Sequence, residues 1–403
     1  MKKVIVVGAG ASGLLAAIAA AGGGASVTIL EGMEKPGKKL LMTGNGRCNL
    51  TNLSMSARDH FRGAPEEFIA CVLQKFGTED TLKFFKNIGL LTTQRENFIY
   101  PVTGQAASVL EVLLLEAGRL GVRLKYTEKV TDIEKKRNVW LVRTAAWEYE
   151  ADAVILACGS RAVPATGSDG SGYLLAQKLG HHIEKPMAAL VPLKIKEAWI
   201  RKMSGLRMQA VVILHCGQES FREAGELQWT DYGISGIVVF QLSRYAVSAL
   251  EKGETPKVIL DLFPMLKKDE LFSYLKEKRR VGTAANFFEG ILPGKAIAPL
   301  LSQAGIPKDL PAKKLSEEML QSITRIIKEL PLTVSGSRSF EQAQVCQGGV
   351  DTDEIDPQTM QSKKAPGIYI TGELLNVDGI CGGYNLQWAW STGYIAGTNS
   401  AKG

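Results

Sequence analysis

Three glycines, Gly8, Gly10 and Gly13, stand at G-x-G-x-x-G spacing, and a carboxylate, Glu31, closes the next apolar run. Those residue types at that spacing hold a dinucleotide. Gly8 permits a tight turn, Gly10 lets backbone approach a pyrophosphate, and Gly13 lets a helix lie close against a strand. The helix that begins there offers unpaired N–H groups and its positive dipole end to phosphate, and Ser12 lies in its first turn. Glu31, about 20 residues on, is placed to accept from ribose hydroxyls. Near the far end of the chain, Gly372 and Glu373 follow a second short apolar run, and Gly382 and Gly383 precede Tyr384, Asn385 and Leu386 at the head of a helix-like stretch. That arrangement reads as the other half of a flavin site. Glu373 would bond ribityl hydroxyls, and the helix N-terminus would face the pyrimidine edge, where negative charge gathers on reduction.

Between these two ends, residues 31–52 are Gly-rich, basic and polar. Lys38, Lys39 and Arg47 supply positive charge, while Thr43, Asn45, Asn49 and Asn52 supply short hydrogen-bonding groups. Gly44 and Gly46 allow unusual backbone angles. The segment is expected to be irregular and to form a second cradle running along the ribityl chain; the plain alternative is a solvated loop. Gly159, Gly167, Gly170 and Gly172 make another flexible crossing near the cofactor. Substrate-side candidates are Tyr100, Asp231, Tyr232 and Tyr384, all in polar, Gly-rich surroundings. A tyrosine there could donate a proton or hold a carbonyl, and the aspartate could hold an amine or take a proton; turn or packing roles are the competing reading for each. Cys48, beside Arg47, is either a thiol of lowered pKa or a small buried hydrophobe. His181 and His182 follow Gly180 and read as structural. Trp388 and Trp390, two apart on a helix, face different sides, so at most one can approach a flavin. No metal-ligand cluster is visible, and no cysteine pair forms C-x-x-C, which argues against a disulfide-reductase flavoenzyme.

The elements that must position these residues follow from periodicity. Residues 4–7 and 26–30 read as buried strands around a helix at 12–21. Helical spacing recurs at 66–76, 78–87 and 105–120, a strand at 122–126, a hairpin at 130–144, a buried strand at 153–158 and a helix at 171–179. Residues 100–104 read as a turn. Beyond Pro186, strand patterns at 209–214 and 257–262 suggest β-structure outside the nucleotide fold, with a helix at 238–250. Residues 264–329 turn helical (267–278, 294–303, 316–328), and residues 367–371 return to a buried strand before a last helix reaching about residue 397.

Bulk properties narrow the class. The chain has 403 residues, enough for two or three domains, and a formal charge of +7. No dense Lys/Arg block with interleaved aromatics occurs, so no nucleic-acid partner is expected. No run of about 20 apolar residues occurs, so no membrane span is expected. Lys2 and Lys3 before an apolar stretch resemble a secretory signal, but glycines interrupt it and a charged segment follows; a reducing, cytoplasmic setting is the expectation.

Longer stretches carry a family resemblance. GAGASGL, KKLLMTGNGRCNLTN, YPVTGQAASVL, GELQWTDYGISG, AQVCQGGV, TMQSK and GGYNLQWAWSTGY resemble the BaiN-like, aminoacetone-oxidase-like FAD-binding flavoproteins, from residue 1 to about 397. The resemblance implies an α/β fold: a Rossmann-like two-dinucleotide-binding FAD domain (1–187 and 345–403), an inserted β-rich domain (188–264 and 330–344) and a small helical domain (265–329). It implies that Ser12, Gly13, Glu31, Lys39, Thr43, Gly44, Val130, Gly372, Glu373, Asn385 and Leu386 line FAD, with Val130 acting through its backbone at the adenine. Where relatives often read Thr-His, this chain reads Thr230-Asp231; where they read Ala-Thr-Gly-Gly, it reads Ala157-Cys158-Gly159-Ser160; and Cys381 replaces a threonine. Three functions are carried forward. The first is NAD(P)H-dependent reduction of an enone-like or other apolar carbonyl substrate, with only one dinucleotide fingerprint, so that NAD(P)H binds transiently. The second is oxidation of a small amine by O2, and the third an FAD-binding protein whose surface serves RNA or a protein partner. Oligomeric state is left open.

Overall fold

The run Val4–Val7 is apolar without a break because the strand it forms has no solvent face. Lys3–Val7 is the middle strand of a five-stranded parallel sheet ordered Ile368–Ile370, Ala153–Leu156, Lys3–Val7, Ser26–Leu30, Arg123–Lys125. Parallel sheets are covered on both faces, so their strands read as continuous hydrophobic runs. The computed structural model describes residues 1–402 and divides into two units, residues 1–187 with 344 onward, and residues 188–343.

In the first unit, the helix Ala11–Gly22 follows the central strand, and the C-terminal helix Tyr384–Ala401 packs on it. The approach is close because the crossing residues are small. A methyl at Gly393 would collide with the Ser12 carbonyl, and one at Gly397 with that of Ala16. Val130–Lys136, Val139–Thr144 and Glu148–Ala151 form an antiparallel three-stranded sheet whose tight turn holds Arg137 at φ 56°. The expected helices are Glu66–Lys75, Thr78–Asn87, Ala106–Arg119 and Ser171–Lys178. The Rossmann-type α/β fold is therefore as expected.

Two local expectations fail. Residues 100–101 are not a turn: Phe98–Pro101 is the middle strand between Thr51–Asn52 and Thr92–Arg95. Pro101 is tolerated as the last residue of that strand, and the turn comes at Gly104, whose N–H donates to Pro101. Nor is the basic segment irregular throughout; Lys38–Met42 is a short helix, followed at Thr43–Gly46 by a tight turn in which Gly44 and Asn45 are left-handed.

The second unit holds a closed six-stranded barrel: Leu193–Ile195, Gly233–Ser235, Glu219–Trp229, Arg207–Cys216, Lys257–Asp261 and Leu330–Ser337, which pairs back to the first. Closure removes free sheet edges. The helix Ile237–Glu251 and the helices Lys268–Glu277, Ala284–Phe288, Gly294–Gln303 and Glu317–Lys328 share one apolar core with the barrel, through Leu214, Trp229, Leu242, Leu300 and Ile323 among others.

His181 is structural, and its setting makes a prediction. Its buried ring lies 2.8 Å from Glu354 Oε2 through Nδ1 and 2.8 Å from Ser362 Oγ through Nε2. Burial holds its pKa below 6.5 even though Glu354 pulls it upward. The folded state therefore binds fewer protons here than the unfolded chain as pH falls below about 6.5, so stability drops in that window. Glu354 acts lower: burial raises its pKa, but the His182 N–H, His181 and Lys364 outweigh this and hold it below 4.5. Thermal melts of wild type and His181→Gln between pH 7 and pH 5 check the claim. Wild type loses Tm through this range, and the variant, less stable at pH 7, shows a flatter profile.

Candidate functional site

The glycine turn is held by its surroundings. Gly8 has φ 104°, its N–H donates to Leu30, and a methyl there would sit 2.6 Å from the Ala157 carbonyl oxygen. A methyl on Gly13 would collide with the Gly8 carbonyl. Gly10 differs: nothing lies within 4 Å of a methyl built there, so its face is open to a ligand. The helix Ala11–Gly22 has no side-chain cap at Gly10, so its first N–H groups are left for an anion. Ser12, in the first turn, is buried. The Glu31 carboxylate is aimed by backbone, accepting from Ala9 N–H at 2.7 Å and Met33 N–H at 2.8 Å. Each carboxylate oxygen has a second lone-pair direction, so capacity for sugar hydroxyls remains. Val130, buried, starts the strand just beyond Glu128, whose N–H donates to the Glu31 carbonyl.

The basic segment is stapled to this turn, since Gly37 N–H donates to the Ala9 carbonyl at 2.9 Å. Lys38 is part-buried and Arg47 exposed. The Thr43 hydroxyl donates to the Leu40 carbonyl at 2.6 Å. Gly44, Asn45, Gly46 and Cys48 all have φ between 54° and 81°. The two glycines adopt these angles freely, so the strain rests on Asn45 and Cys48, and such strain clusters at ligand clamps. Cys48 is fully buried, and burial pushes its thiol up to about 12, against a weaker opposing bond from Thr43. The lowered-pKa reading of Cys48 is thereby corrected: Arg47 points to solvent and the thiol packs inside. Iodoacetamide at pH 8 should leave Cys48 unmodified in the native protein and label it on unfolding, as peptide mapping would show.

At the C-terminal half, Gly372 has φ 64°, and a methyl there would lie 2.8 Å from Ser12 Oγ. This brings Gly372 to the first turn of the N-terminal helix. Glu373 Oε2 accepts from Lys39 Nζ at 2.6 Å and Ser160 Oγ at 2.8 Å, tying together three segments far apart in sequence. Gly159, with φ 72°, packs toward Ser168. Gly383, with φ 94°, precedes the last helix. The Asn385 amide is committed to protein: it donates to Gly379 at 2.8 Å, and its oxygen accepts the Gly379 N–H at 2.7 Å. Asn385 and the part-buried Leu386 thus offer a ligand backbone N–H groups in an open helical turn rather than the Asn385 amide. Trp388 and Trp390 are both buried, their indole N–H groups donating to Gly372 and Leu50 carbonyls, so both serve packing.

Of the four substrate-side candidates, two fall in this unit. The Tyr100 ring edge lies 4.0 Å from a methyl position on Gly44, and the Tyr384 ring 3.0 Å from one on Gly382. Tyr384 stacks on His60 with centroids 4.4 Å apart, and burial raises its pKa above 10. Asp231 and Tyr232 belong to the second unit, on the turn between barrel strands; Asp231 is exposed, and the Tyr232 ring lies 4.7 Å under the Arg338 guanidinium. Sequence reasoning passed over His60, Ser160, Tyr173 and Glu128 because no spacing links them to the motifs.

Room for a ligand is shown at Gly10, whose open face a methyl would fill, beside uncapped helix N–H groups. Among the described residues, buried side-chain atoms without a hydrogen-bond partner include Glu128 Oε2, Asn49 Oδ1 and the Tyr173 hydroxyl. Native proteins leave few such atoms, and each asks for a reason. The Glu128 N–H donates to the Glu31 carbonyl, Asn49 Oδ1 lies beside Gly383, and burial raises the Tyr173 pKa, with Cys346 and Glu373 adding to it. A fourth such atom, Trp229 Nε1, lies in the barrel core of the second unit.

A family model described as HI0933-like protein Rossmann domain matches residues 2–399. A 3-dehydro-bile acid delta(4,6)-reductase of Clostridium scindens is 44% identical over 408 residues, 100% of this chain and 100% of that protein. A ribosomal RNA dihydrouridine synthase of Haemophilus influenzae is 29% identical over 404 residues, 99% of this chain and 98% of that one. Among solved structures, 3-ketosteroid delta1-dehydrogenase from Sterolibacterium denitrificans superposes with a TM-score of 0.54 at 13% identity, covering 100% of both chains. A 3-ketosteroid-delta4-(5alpha)-dehydrogenase from Rhodococcus jostii RHA1 gives 0.53 at 15% identity, covering 100% of this chain and 97% of that one. At such identities these structures speak for the fold alone. Matched over nearly its whole length, the chain belongs to the HI0933-like Rossmann family and is an FAD-dependent oxidoreductase.

Proposed function

We propose that the protein adds two hydrogens across a C=C bond conjugated to a carbonyl, in an apolar fused-ring substrate of the 3-keto steroid kind, with NAD(P)H as the electron donor. The carrying observation is 44% identity, end to end, to a reductase named for such a double-bond system. Bound FAD supplies the hydride. The glycine turn and Glu31 hold its adenosine and pyrophosphate end, Lys39, Thr43 and Glu373 its middle, and the start of the helix Tyr384–Ala401 its ring. Tyr384 holds the proton that the α-carbon needs after hydride arrives at the β-carbon. Its raised pKa keeps that proton in place at neutral pH. A cytoplasmic setting goes with this reading; among the described residues no helix is long and apolar enough to cross a membrane.

A second reading is favoured by the relative at 29% identity over the full length and by the formal charge of +7. The C5=C6 bond of uracil is also conjugated to a carbonyl, so the same chemistry would serve an RNA base.

Anaerobic titration with NADPH and NADH, followed by visible absorbance, tests the proposal. Bleaching of the flavin band, then reoxidation by a Δ4-3-keto steroid with uptake of two hydrogens in the product, is expected. Reoxidation by unmodified ribosomal RNA alone would select the second reading. A band that neither nucleotide bleaches, but small amines do under exclusion of air, would replace both with an amine oxidase.

A further inference from the structure

We infer that His60 is a second catalytic residue of this site: its Nε2–H holds the substrate's carbonyl oxygen while Tyr384 gives the α-carbon its proton. The inference rests on the reading of the protein as a reductase of conjugated carbonyls and assigns the electrophile that this reading leaves open.

Backbone builds the pair. Ile380 N–H donates to the His60 carbonyl at 3.0 Å, and the next two residues, Phe61 and Arg62, pair antiparallel with Gly379 and Asp378. This fastens His60 to the segment leading into the last helix, whose first residue is Tyr384. The two rings stack with centroids 4.4 Å apart and planes 22° apart, and Phe61 meets the Tyr384 ring edge-on at 6.1 Å. Methyls at Gly379 and Gly382 would lie 2.9 Å from Tyr384 Cβ and 3.0 Å from its ring, so the ring has little room to turn.

The tautomer is set as well. His60 Nδ1 accepts the Ser56 N–H at 3.0 Å, and Ser56 is tied in turn: its carbonyl accepts the His60 N–H at 3.2 Å and its hydroxyl oxygen the Asp59 N–H at 3.2 Å. A neutral imidazole that accepts at Nδ1 carries its proton on Nε2. The charged neighbours are engaged elsewhere: Asp59 Oδ2 accepts the Ser56 hydroxyl at 2.8 Å, and Arg62 donates to the carbonyls of Arg58, Asp59 and Phe61. Burial chiefly holds the His60 pKa below 6.5, with Asp59 raising it and Arg62 lowering it, so the ring is neutral at pH 7. Both donors are also open. Among the described residues nothing accepts from His60 Nε2 or from the Tyr384 hydroxyl, and neither atom is closed off by protein; the enclosed atoms without partners are on Asn49, Glu128, Tyr173 and Trp229. Tyr384 is only 5% exposed, yet its hydroxyl lies in the part that reaches open space.

The chemistry divides the two roles. Hydride arriving at the β-carbon puts negative charge on the carbonyl oxygen, and the charge stays there until the α-carbon takes a proton. Oxygen and α-carbon are two bonds apart, so the step needs two neighbouring donors, one that lends its hydrogen and one that gives it up. The Tyr384 hydroxyl gives up its proton, the C=O bond re-forms, and water returns a proton to the tyrosinate. The N–H of a neutral imidazole is a far weaker acid, so His60 lends its hydrogen and ends the step unchanged. Neutral imidazole serves as an electrophile of this kind, and one preorganised donor to a developing oxyanion is worth about 10²–10³ in rate.

The test reads the carbonyl itself. Oxidised holoenzyme is mixed with a Δ4-3-keto steroid carrying carbon-13 at its carbonyl, and the C=O stretch is followed by difference infrared spectroscopy. A hydrogen bond to the oxygen lowers the stretch, so wild type should show a band below that of the steroid in hexane. His60→Phe keeps a ring for the stack and removes the N–H. Its band should return toward the hexane position, and reoxidation of the reduced flavin by the steroid should slow about 10²-fold, with flavin reduction by NAD(P)H unchanged. His60→Gln gives up the stack and keeps an N–H; it should retain the lowered band and stay within about tenfold of the wild-type rate. A purely structural stack gives the reverse order, His60→Phe fast and His60→Gln slow, and that result overturns the inference. So does a lowered band that survives in His60→Phe and vanishes in Tyr384→Phe, which gives the carbonyl to Tyr384. Should the variants fail to fold by circular dichroism, a wild-type band at the hexane position overturns the inference by itself. A wild type whose reduced flavin the steroid does not reoxidise overturns the inference and the reductase reading together, whereas turnover with an unshifted carbonyl overturns this inference alone.

Discussion

A Gly13→Ala variant should purify without a flavin band and melt well below the wild type, whereas Gly10→Ala should melt near it and still lose affinity for FAD. The two glycines lie three residues apart in one turn, yet the obstacle each would meet is different. A methyl at Gly13 runs into the Gly8 carbonyl oxygen and lies 3.2 Å from Ala157 Cβ. The helix Ala11–Gly22 has no room to retreat, because its other side is closed by the C-terminal helix at Gly393 and Gly397. Overpacking a close-packed site costs about 1–3 kcal/mol, and a backbone obstacle held from both sides belongs at the upper end. Any relief by tilting the helix also moves the N–H groups meant for phosphate, so affinity should fall by roughly a hundredfold or more. At Gly10 there is open space and an extended backbone (φ −81°, ψ −170°) that alanine adopts freely, so the fold should lose under about 0.5 kcal/mol. Only the approach to the pyrophosphate is blocked. Absorbance ratio after purification, FAD titration and thermal melts separate the cases. A Gly13→Ala protein as yellow and as stable as wild type would show that the turn is not the cofactor cradle.

Tyr384→Phe should slow reduction of an unsaturated carbonyl substrate by about 10²-fold, the usual scale for removing a positioned acid, while flavin reduction by NAD(P)H stays unchanged. The ring is retained, so its stack on His60 and its edge contact with Phe61 persist and the fold should not suffer. The split between the two half-reactions is the discriminating readout, because a structural defect would slow both. A pH profile adds a second check. Burial raises the Tyr384 pKa above its ordinary value of 10. A donor works in its protonated form, so the wild-type rate should show no loss from this group until pH climbs past that raised value. His60 sets nothing on the alkaline side: burial lowers its pKa below 6.5, with Asp59 and Arg62 pulling in opposite directions. Its Nδ1 accepts the Ser56 N–H at 3.0 Å, which leaves the neutral ring's proton on Nε2. If Tyr100→Phe produces the loss instead and Tyr384→Phe does not, the donor is on the strand Phe98–Pro101.

The legible parts of this protein share one property: their signal is local. The G-x-G-x-x-G turn, the strands on either side and Glu31 lie within 31 residues, and spacing alone states the backbone angles and close approach they require. The same holds for Gly372-Glu373 and for the long helices, whose apolar periodicity spans several turns. The barrel was visible only as scattered strand pattern. Glu219–Trp229 begins with polar and exposed residues, and closure depends on pairing Leu193 with Ser337, far apart in sequence. Short pieces such as Lys38–Met42 and Thr51–Asn52 carry too few residues for periodicity to register, and they exist because tertiary neighbours complete their hydrogen bonds.

By itself, then, the amino-acid order determined that a dinucleotide fold would form and where its glycine turn and the acid after the second strand would stand, because sterics and period act between near neighbours. Tertiary structure decided the rest. It joined Lys39 and Ser160 to Glu373, buried Cys48 beyond reach of Arg47, spent the Asn385 amide on Gly379, and set Tyr384 on His60. Whether a polar group is satisfied, charged or left waiting for a ligand depends on which distant atoms pack around it, and that is a property of the folded core rather than of any stretch of sequence.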